Sequence, residues 1–361
     1  MTDSRQDFIY RKLSAMIFSG QLAPGDRLPN EPELSRKFGV ARVTLRSALK
    51  RLETEGIVSR SRAGGTVVRP EKSAAPKVLL VSQLNSACPM EAPIPYLNPG
   101  IERRCRELGW EIEYLPPEFI PETLPVERGF FGIILTGHNY NGNEPWLRII
   151  RKSGLPAVCA HGFHSDPTIT KLATVVVDIQ NAWRDGLRHL IRFGHRRIAL
   201  LLRNDQLVFQ RMGQTPDSMR RMLEEEGACA DPALIFHPDD CGFGDVVDQI
   251  FRMSDPPTAI YCYSDFFAVE VYAALRERKI RIPDDIAVMG FCGFPGSALM
   301  RPPLSTVDFK YECIGAIAVD LLARRDEWEN DPVKPVVRAP YDILPRASTD
   351  KFLLNLKGDK K

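Results

Sequence analysis

Seven short apolar runs recur along the chain, at residues 78–81, 132–135, 157–160, 175–177, 198–202, 259–263 and 287–291. Between and after them lie stretches with helical spacing, at 100–108, 146–152, 182–192, 218–226, 266–279 and 314–322. Continuous apolar runs suit strands buried on both faces, and the interposed helices let neighbouring strands run parallel. The repetition, over about 270 residues, exceeds a single five-stranded unit. An α/β domain of two doubly wound lobes with a ligand cleft between them is therefore expected.

The first seventy residues are built differently. Residues 1–70 hold 13 Lys and Arg against 7 Asp and Glu, a surplus of +6 that leaves −4 for the rest, although the overall formal charge is only +2. A basic module is what phosphate binding requires, and a solvated Lys/Arg face gives the same count. The segment Arg69-Pro70-Glu71-Lys72-Ser73-Ala74-Ala75-Pro76-Lys77 has two prolines and almost nothing to bury, so it reads as a linker. The expected organisation is a winged helix-turn-helix over 1–69, a linker over 70–77, a two-lobed doubly wound domain over 78–347, and a tail over 348–361.

Within the basic module, Phe8, Leu13 and Ile17 share one face of a first helix, and a short strand is expected around Arg27-Leu28. Asn30 can cap a second helix over 31–38, with Pro32 in its first turn and Glu33 at capping-box spacing. Gly39 ends it. A third helix over 42–55 buries Leu45, Ala48, Leu49 and Leu52. Its other side carries Arg42, Arg46 and Lys50 at i, i+4, i+8, with Thr44 and Ser47 beside them. Such a helix fits a major groove, where Arg suits guanine or phosphate and Thr suits phosphate or a thymine methyl. Ile57-Val58 and Thr66-Val67-Val68 flank a basic glycine loop containing Arg62, Gly64 and Gly65, which reads as a wing.

Residues 19–31, Ser-Gly-Gln-Leu-Ala-Pro-Gly-Asp-Arg-Leu-Pro-Asn-Glu, and residues 40–46, Val-Ala-Arg-Val-Thr-Leu-Arg, carry a resemblance to the winged-helix reader of GntR-type regulators. The resemblance spans 8–68. It implies DNA contact by Arg42, Thr44, Arg46 and the wing glycines Gly64 and Gly65. Ala41 stands where the family usually has Ser or Thr, and Ala63 where it has the first wing glycine.

The stretches 189–200, 257–265, 282–291 and 303–307 resemble the effector domain of LacI/GalR-type regulators, and arabinose-type repressors combine the same two halves. This implies two Rossmann-like lobes, a small carbohydrate-like effector in the cleft, a homodimer and double-stranded operator DNA as partner. Asp178 and Asp265 follow strand ends, where parallel-sheet ligands bind, and either could instead cap the next helix. Arg211 lies in the region of a family ligand-binding Arg, without the usual spacing. Cys292 stands where the family carries an Asp that holds a ligand hydroxyl or base nitrogen. Asn85, His138 and Asn139 are further candidates at the cleft rim. A sequence-specific DNA-binding transcription regulator, a dimeric repressor controlled by such an effector, is the expected function, with a DNA binder whose cleft is silent as the alternative.

Other classes are disfavoured. No run approaches the ~18 apolar residues of a membrane span, and Asp3, Arg5 and Asp7 stand where a signal peptide would be apolar, so a cytoplasmic protein is expected. The eight cysteines lie at least twelve residues apart, which leaves no Cys-x-x-Cys metal or redox spacing. Some GntR-type chains carry a pyridoxal-phosphate aminotransferase, but the roughly 285 residues after the linker are short for that fold. No phosphate-cradling glycine loop or nucleophile elbow is present. No enzyme activity, cofactor or metal is expected.

Overall fold

The computed structural model of the 361-residue chain describes residues 5–18, 22, 25–54, 57–61, 65–68, 75–82, 94–117, 120–122, 124, 130–137, 140, 142–163, 165–204 and 213–350. The chain divides into two compact units, residues 1–76 and 77–361.

In the first unit, α1 (Arg5–Phe18), α2 (Glu31–Phe38) and α3 (Arg42–Thr54) bury Ile9, Leu13, Leu34, Leu45, Leu49 and Leu52 in one small core. Asn30 caps α2: its side-chain oxygen accepts from the Glu33 amide at 3.0 Å, satisfying a donor the helix cannot. Gly39 ends α2 in the left-handed conformation, at φ 61°. Strands β1 (Val58–Ser61) and β2 (Gly65–Val68) form an antiparallel hairpin, and a bridge from Arg27 to Val67 joins it to the segment before α2. Arg62 and Gly64, at the expected wing tip, lie outside the described residues.

The second unit begins with β3 (Lys77–Ser82), α4 (Ile94–Glu107), β4 (Glu111–Leu115), β5 (Phe130–Thr136), α5 (Pro145–Lys152), β6 (Ala157–Gly162), α6 (Asp166–Thr170) and β7 (Ala173–Val177). It continues with α7 (Ile179–Arg192), β8 (Ile198–Leu201), α8 (Pro216–Glu225), β9 (Ile235–Phe236), α9 (Pro238–Cys241), α10 (Phe243–Arg252), β10 (Ala259–Cys262), α11 (Asp265–Glu277), β11 (Ala287–Cys292) and β12 (Ser305–Asp308). Last come α12 (Tyr311–Ala323), β13 (Val336–Ala339) and β14 (Asp342–Leu344).

Two six-stranded sheets result, in the orders β13-β7-β6-β5-β3-β4 and β14-β12-β11-β10-β8-β9. Every pairing is parallel except β12 with β14. The chain passes between the sheets three times: from β7 into α7, from β12 into α12, and from β13 into β14. Both lobes are doubly wound, as the alternation of runs predicts.

Helix α12 returns to the first lobe and crosses α4 closely. A Cβ on Gly100 would overlap the carbonyl of Glu312, and one on Gly315 the carbonyl of Leu97. Only glycine permits this approach, and the ion pairs Arg103–Glu312 at 2.6 Å and Arg104–Asp320 at 2.7 Å flank it.

The ends of the second unit differ from expectation. Lys77, assigned to the linker, is the first residue of β3 and pairs with Glu111 and Phe130. Ser348 and Thr349, assigned to the tail, are buried in the second lobe. Ser348 Oγ donates to Val288 O at 2.6 Å and accepts from Ser305 N at 2.8 Å. Thr349 Oγ1 lies 2.7 Å from Ser305 Oγ and 2.8 Å from His189 Nε2. Small hydroxyl residues look like tail in a sequence, yet here they satisfy buried backbone groups.

Gly315→Ala should cost about 1–3 kcal/mol by overpacking, read as a lower urea midpoint at unchanged slope. Burial, with Arg192 and His195 nearby, pulls the His189 imidazole from its ordinary value near 6.5 to about 4. The unfolded chain then binds that proton more readily between these values, so this contribution is full above pH 6.5 and lost as pH falls toward 4. Thermal unfolding of His189→Gln should show a shallower loss of stability across that window than the parent.

Candidate functional site

The residues singled out by sequence fall in both units. On α3, the buried stripe Leu45, Ala48, Leu49 and Leu52 fixes the helix by one face. Arg42, Arg46 and Lys50 are thereby turned to solvent, with Thr44 and Ser47 half-buried beside them. Gly65, at the start of β2, has φ 72°, the left-handed region glycine occupies without steric cost.

Sequence reasoning missed two residues here. Val43 is 75% exposed and falls on the same stripe as Arg46, Ser47 and Lys50, out of phase with the core. An apolar side chain there can meet a thymine methyl, and its phase is a signal the sequence held. Glu31 accepts from Arg46 Nε at 2.7 Å and from Arg60 Nη2 at 2.5 Å. Its role has no local signature, because its partners lie fifteen and twenty-nine residues away.

In the second unit, parallel strands carry ligands beyond their carboxyl ends, where strand order reverses. In the first lobe that point lies between β3 and β5. Ser82 Oγ and Thr136 Oγ1 lie there, 2.8 Å apart. Asn85, His138, Asn139 and Arg211 lie outside the described residues.

Asp178 caps α7: Oδ1 accepts from the Asn181 amide at 3.2 Å and Oδ2 from Asn181 Nδ2 at 2.9 Å. Arg338 of β13 lies 3.5 Å from Oδ2. Of its two possible roles, the capping one is what the geometry shows. Asp265 does not cap α11, which Ser264 does with a hydrogen bond from the Phe267 amide at 3.3 Å. Only 3% exposed, Asp265 accepts from Thr306 Oγ1 at 2.6 Å through Oδ1 and from Phe294 N at 2.7 Å through Oδ2. It holds the turn after β11 against β12 instead of presenting a carboxylate to the cleft. Burial pushes this carboxyl up to about 7, against the hydrogen bonds from Thr306 and Phe294 that pull it down.

Cys292 ends β11 at φ 96°, strained for a residue with a side chain. It is half-buried, and its thiol is hydrogen-bonded with the Tyr311 hydroxyl. Tyr311 belongs to an aromatic group that joins the lobes. Phe294 and Tyr311 stack at 5.6 Å between centroids, Tyr96 sits 5.0 Å from Phe294, and His161 5.6 Å from Tyr311. His161, the last but one residue of β6, is only 4% exposed. None of these aromatic residues stood out in sequence, because each occupies a junction where apolar periodicity is interrupted.

Residues 5–68 match the family described as bacterial regulatory proteins, gntR family, and residues 187–349 match the periplasmic binding protein-like domain. The arabinose metabolism transcriptional repressor of Geobacillus stearothermophilus is 24% identical, with 95% of this chain and 96% of that protein covered. Among solved structures, the transcriptional regulator CelR–cellobiose complex aligns with a TM-score of 0.60 at 19% identity, covering 89% of this chain and 100% of that one. A regulatory protein of the LacI family from Chloroflexus aggregans aligns with a TM-score of 0.58 at 21% identity, covering 75% and 98%. These structures share the fold.

Because the Asp265 pKa is raised on folding, its contribution is present below the ordinary value of 3.8 and lost as pH rises through about 7. Asp265→Asn should remove that loss, so the variant gains relative to the parent between pH 5 and pH 8. The gain is roughly a few kcal/mol at about 1.4 kcal/mol per pKa unit. Unfolding midpoints at the two pH values measure it.

Proposed function

We propose, from the premise that this chain is a DNA-binding transcription regulator joining a GntR-family reader to a periplasmic binding protein-like domain, that it is a dimeric repressor controlled by a carbohydrate-like effector. The observation that carries the reading is the exposed stripe Arg42, Val43, Arg46 and Lys50 on α3, next to a two-stranded wing. Arg42 and Arg46 read bases or phosphates, Thr44 and Lys50 hold phosphates, and the wing, with Arg62, Gly64 and Gly65, follows the backbone of operator DNA.

The arabinose metabolism repressor and the CelR–cellobiose complex support a sugar as effector. With Asp178 and Asp265 engaged by the protein itself, and Cys292 against Tyr311, recognition falls to other groups. The hydroxyls of Ser82 and Thr136 offer hydrogen bonds and Tyr96 offers a face for a sugar ring, with Asn85, His138 and Arg211, outside the described residues, as further candidates. A ligand changes operator affinity only through its differential affinity for two lobe arrangements.

The test is selection of operators from random duplex DNA, repeated with pentoses, hexoses and sugar acids. A palindromic motif whose recovery changes with one compound is expected. Recovery without any sequence preference would overturn the reading, whereas a motif indifferent to every compound would favour the silent cleft, for which the engaged Asp265 is the structural argument. A ligand at about 100 times its dissociation constant should also add roughly 2.7 kcal/mol of stability. Arg46→Ala should weaken the selected operator by about 1–3 kcal/mol and random DNA by less, measured by titration at one salt concentration.

A further inference from the structure

A carboxylate on a surface that meets phosphates opposes binding to every sequence, so its presence there needs a reason. Glu31 is such a group. It stands at the first position of α2, and one oxygen accepts from Arg46 of α3 while the other accepts from Arg60 of β1. Arg60 also lies 4.0 Å from Glu53. The side chains of Glu31 and Arg60 are 22% and 27% exposed, against 62% for Arg46. The carboxylate therefore sits at the root of the Arg46 guanidinium, where helix, recognition helix and wing strand meet.

We infer that Glu31 is a specificity-determining positioning residue, which aims Arg46 at a base edge and lowers affinity for DNA of any sequence by cancelling one cation of the reader. The inference rests on the proposed function, because it needs α3 to enter the groove. Two physical effects follow from the same contact. The bond occupies Nε of a side chain that is 62% exposed, and the Nη1 and Nη2 end of a guanidinium is a planar fork that matches the two acceptors of guanine. Held at Nε, that fork loses less rotational freedom when it docks.

The second effect is electrostatic. Nonspecific affinity is set by the number of phosphates neutralised, with log affinity falling against log salt at about −0.9 per contact. Glu31 pairs with two arginines and so withholds positive charge from that sum. Removing it should strengthen binding to random DNA while loosening the geometry that distinguishes one base pair from another. A bland surface ion pair predicts something else: a small effect on stability and none on discrimination.

The experiment uses the full-length protein and the operator recovered by selection, titrated alongside a random duplex of equal length over a range of salt. Glu31→Gln keeps shape and removes the charge. Its random-duplex affinity should rise several-fold with a salt slope steeper by about 1, while the ratio of operator to random affinity falls about tenfold. Arg46→Lys keeps the cation and lacks the fork, so Glu31→Gln in that background should leave the ratio unchanged. An unchanged melting temperature in Glu31→Gln is expected, and Glu31→Asp, which keeps the charge on a shorter reach, should retain the salt slope of the parent. If Glu31→Gln moves both affinities by one factor, or lowers the ratio equally in the Arg46→Lys background, the positioning role is overturned. Parent protein that does not distinguish operator from random duplex would instead refute the proposed function.

Discussion

Three passages of the chain between two sheets constrain the second unit more than any single contact does. Because each lobe takes strands from before and after the crossings, neither can fold to completion without the other's chain. The crossings are also tied to one another. Lys310, in the second, pairs with Asp342 after the third at 2.5 Å. Tyr341 in the third donates to Asp185 of α7 at 2.7 Å, and Arg338 just before it lies near Asp178 in the first. Lobes connected in this way can hinge over a few junction residues, which is the motion a cleft-binding domain uses.

The aromatic group sits at the second of these crossings, through Tyr311. His161 and Tyr96 come from the first lobe and Phe294 from the second, while Tyr311 follows the crossing itself. Asp265 fixes Phe294 through its amide and so sets where one wall of that group stands. Its buried carboxyl gives up part of its hydration for that purpose. The strain at Cys292 belongs to the same turn, whose next residue, Gly293, approaches Asp308 too closely for a side chain. The carboxyl end of β11 is thus shaped by backbone constraint, and the residue identity there follows packing with Tyr311.

Much of the fold was legible because strands buried on both faces write themselves as unbroken apolar runs. Strands β5, β6, β7, β8, β10 and β11 all follow runs visible in the sequence. Strands β4, β13 and β14 were not visible, since each lies at a sheet edge with several exposed or half-buried residues. The reader was legible for a related reason, with its basic stripe on the face opposite a clean apolar stripe. The cleft was less so: capping by Asp178 and ligand contact place the same residue at the same strand end, and only the partner atoms separate the two. The partners of Asp265 stand twenty-nine and forty-one residues downstream, beyond the reach of any local pattern.

The side chains that sequence reasoning most readily assigns to ligands are acidic and lie at element ends, which is also where a fold needs acceptors. Helix starts leave unsatisfied N–H groups, and turns after strands leave more. A carboxylate at such a position is consumed by the protein unless its remaining lone pairs face outward. Asp265 is consumed in this sense, whereas Asp178 caps α7 through both oxygens and keeps a side chain 25% exposed. Glu31 differs because its partners are cations on the exposed face of α3 and on β1, so its hydrogen bonds change what that face presents. Counting acceptor capacity atom by atom, rather than by residue type, separates a carboxylate that builds the fold from one that is spent on exposed cations.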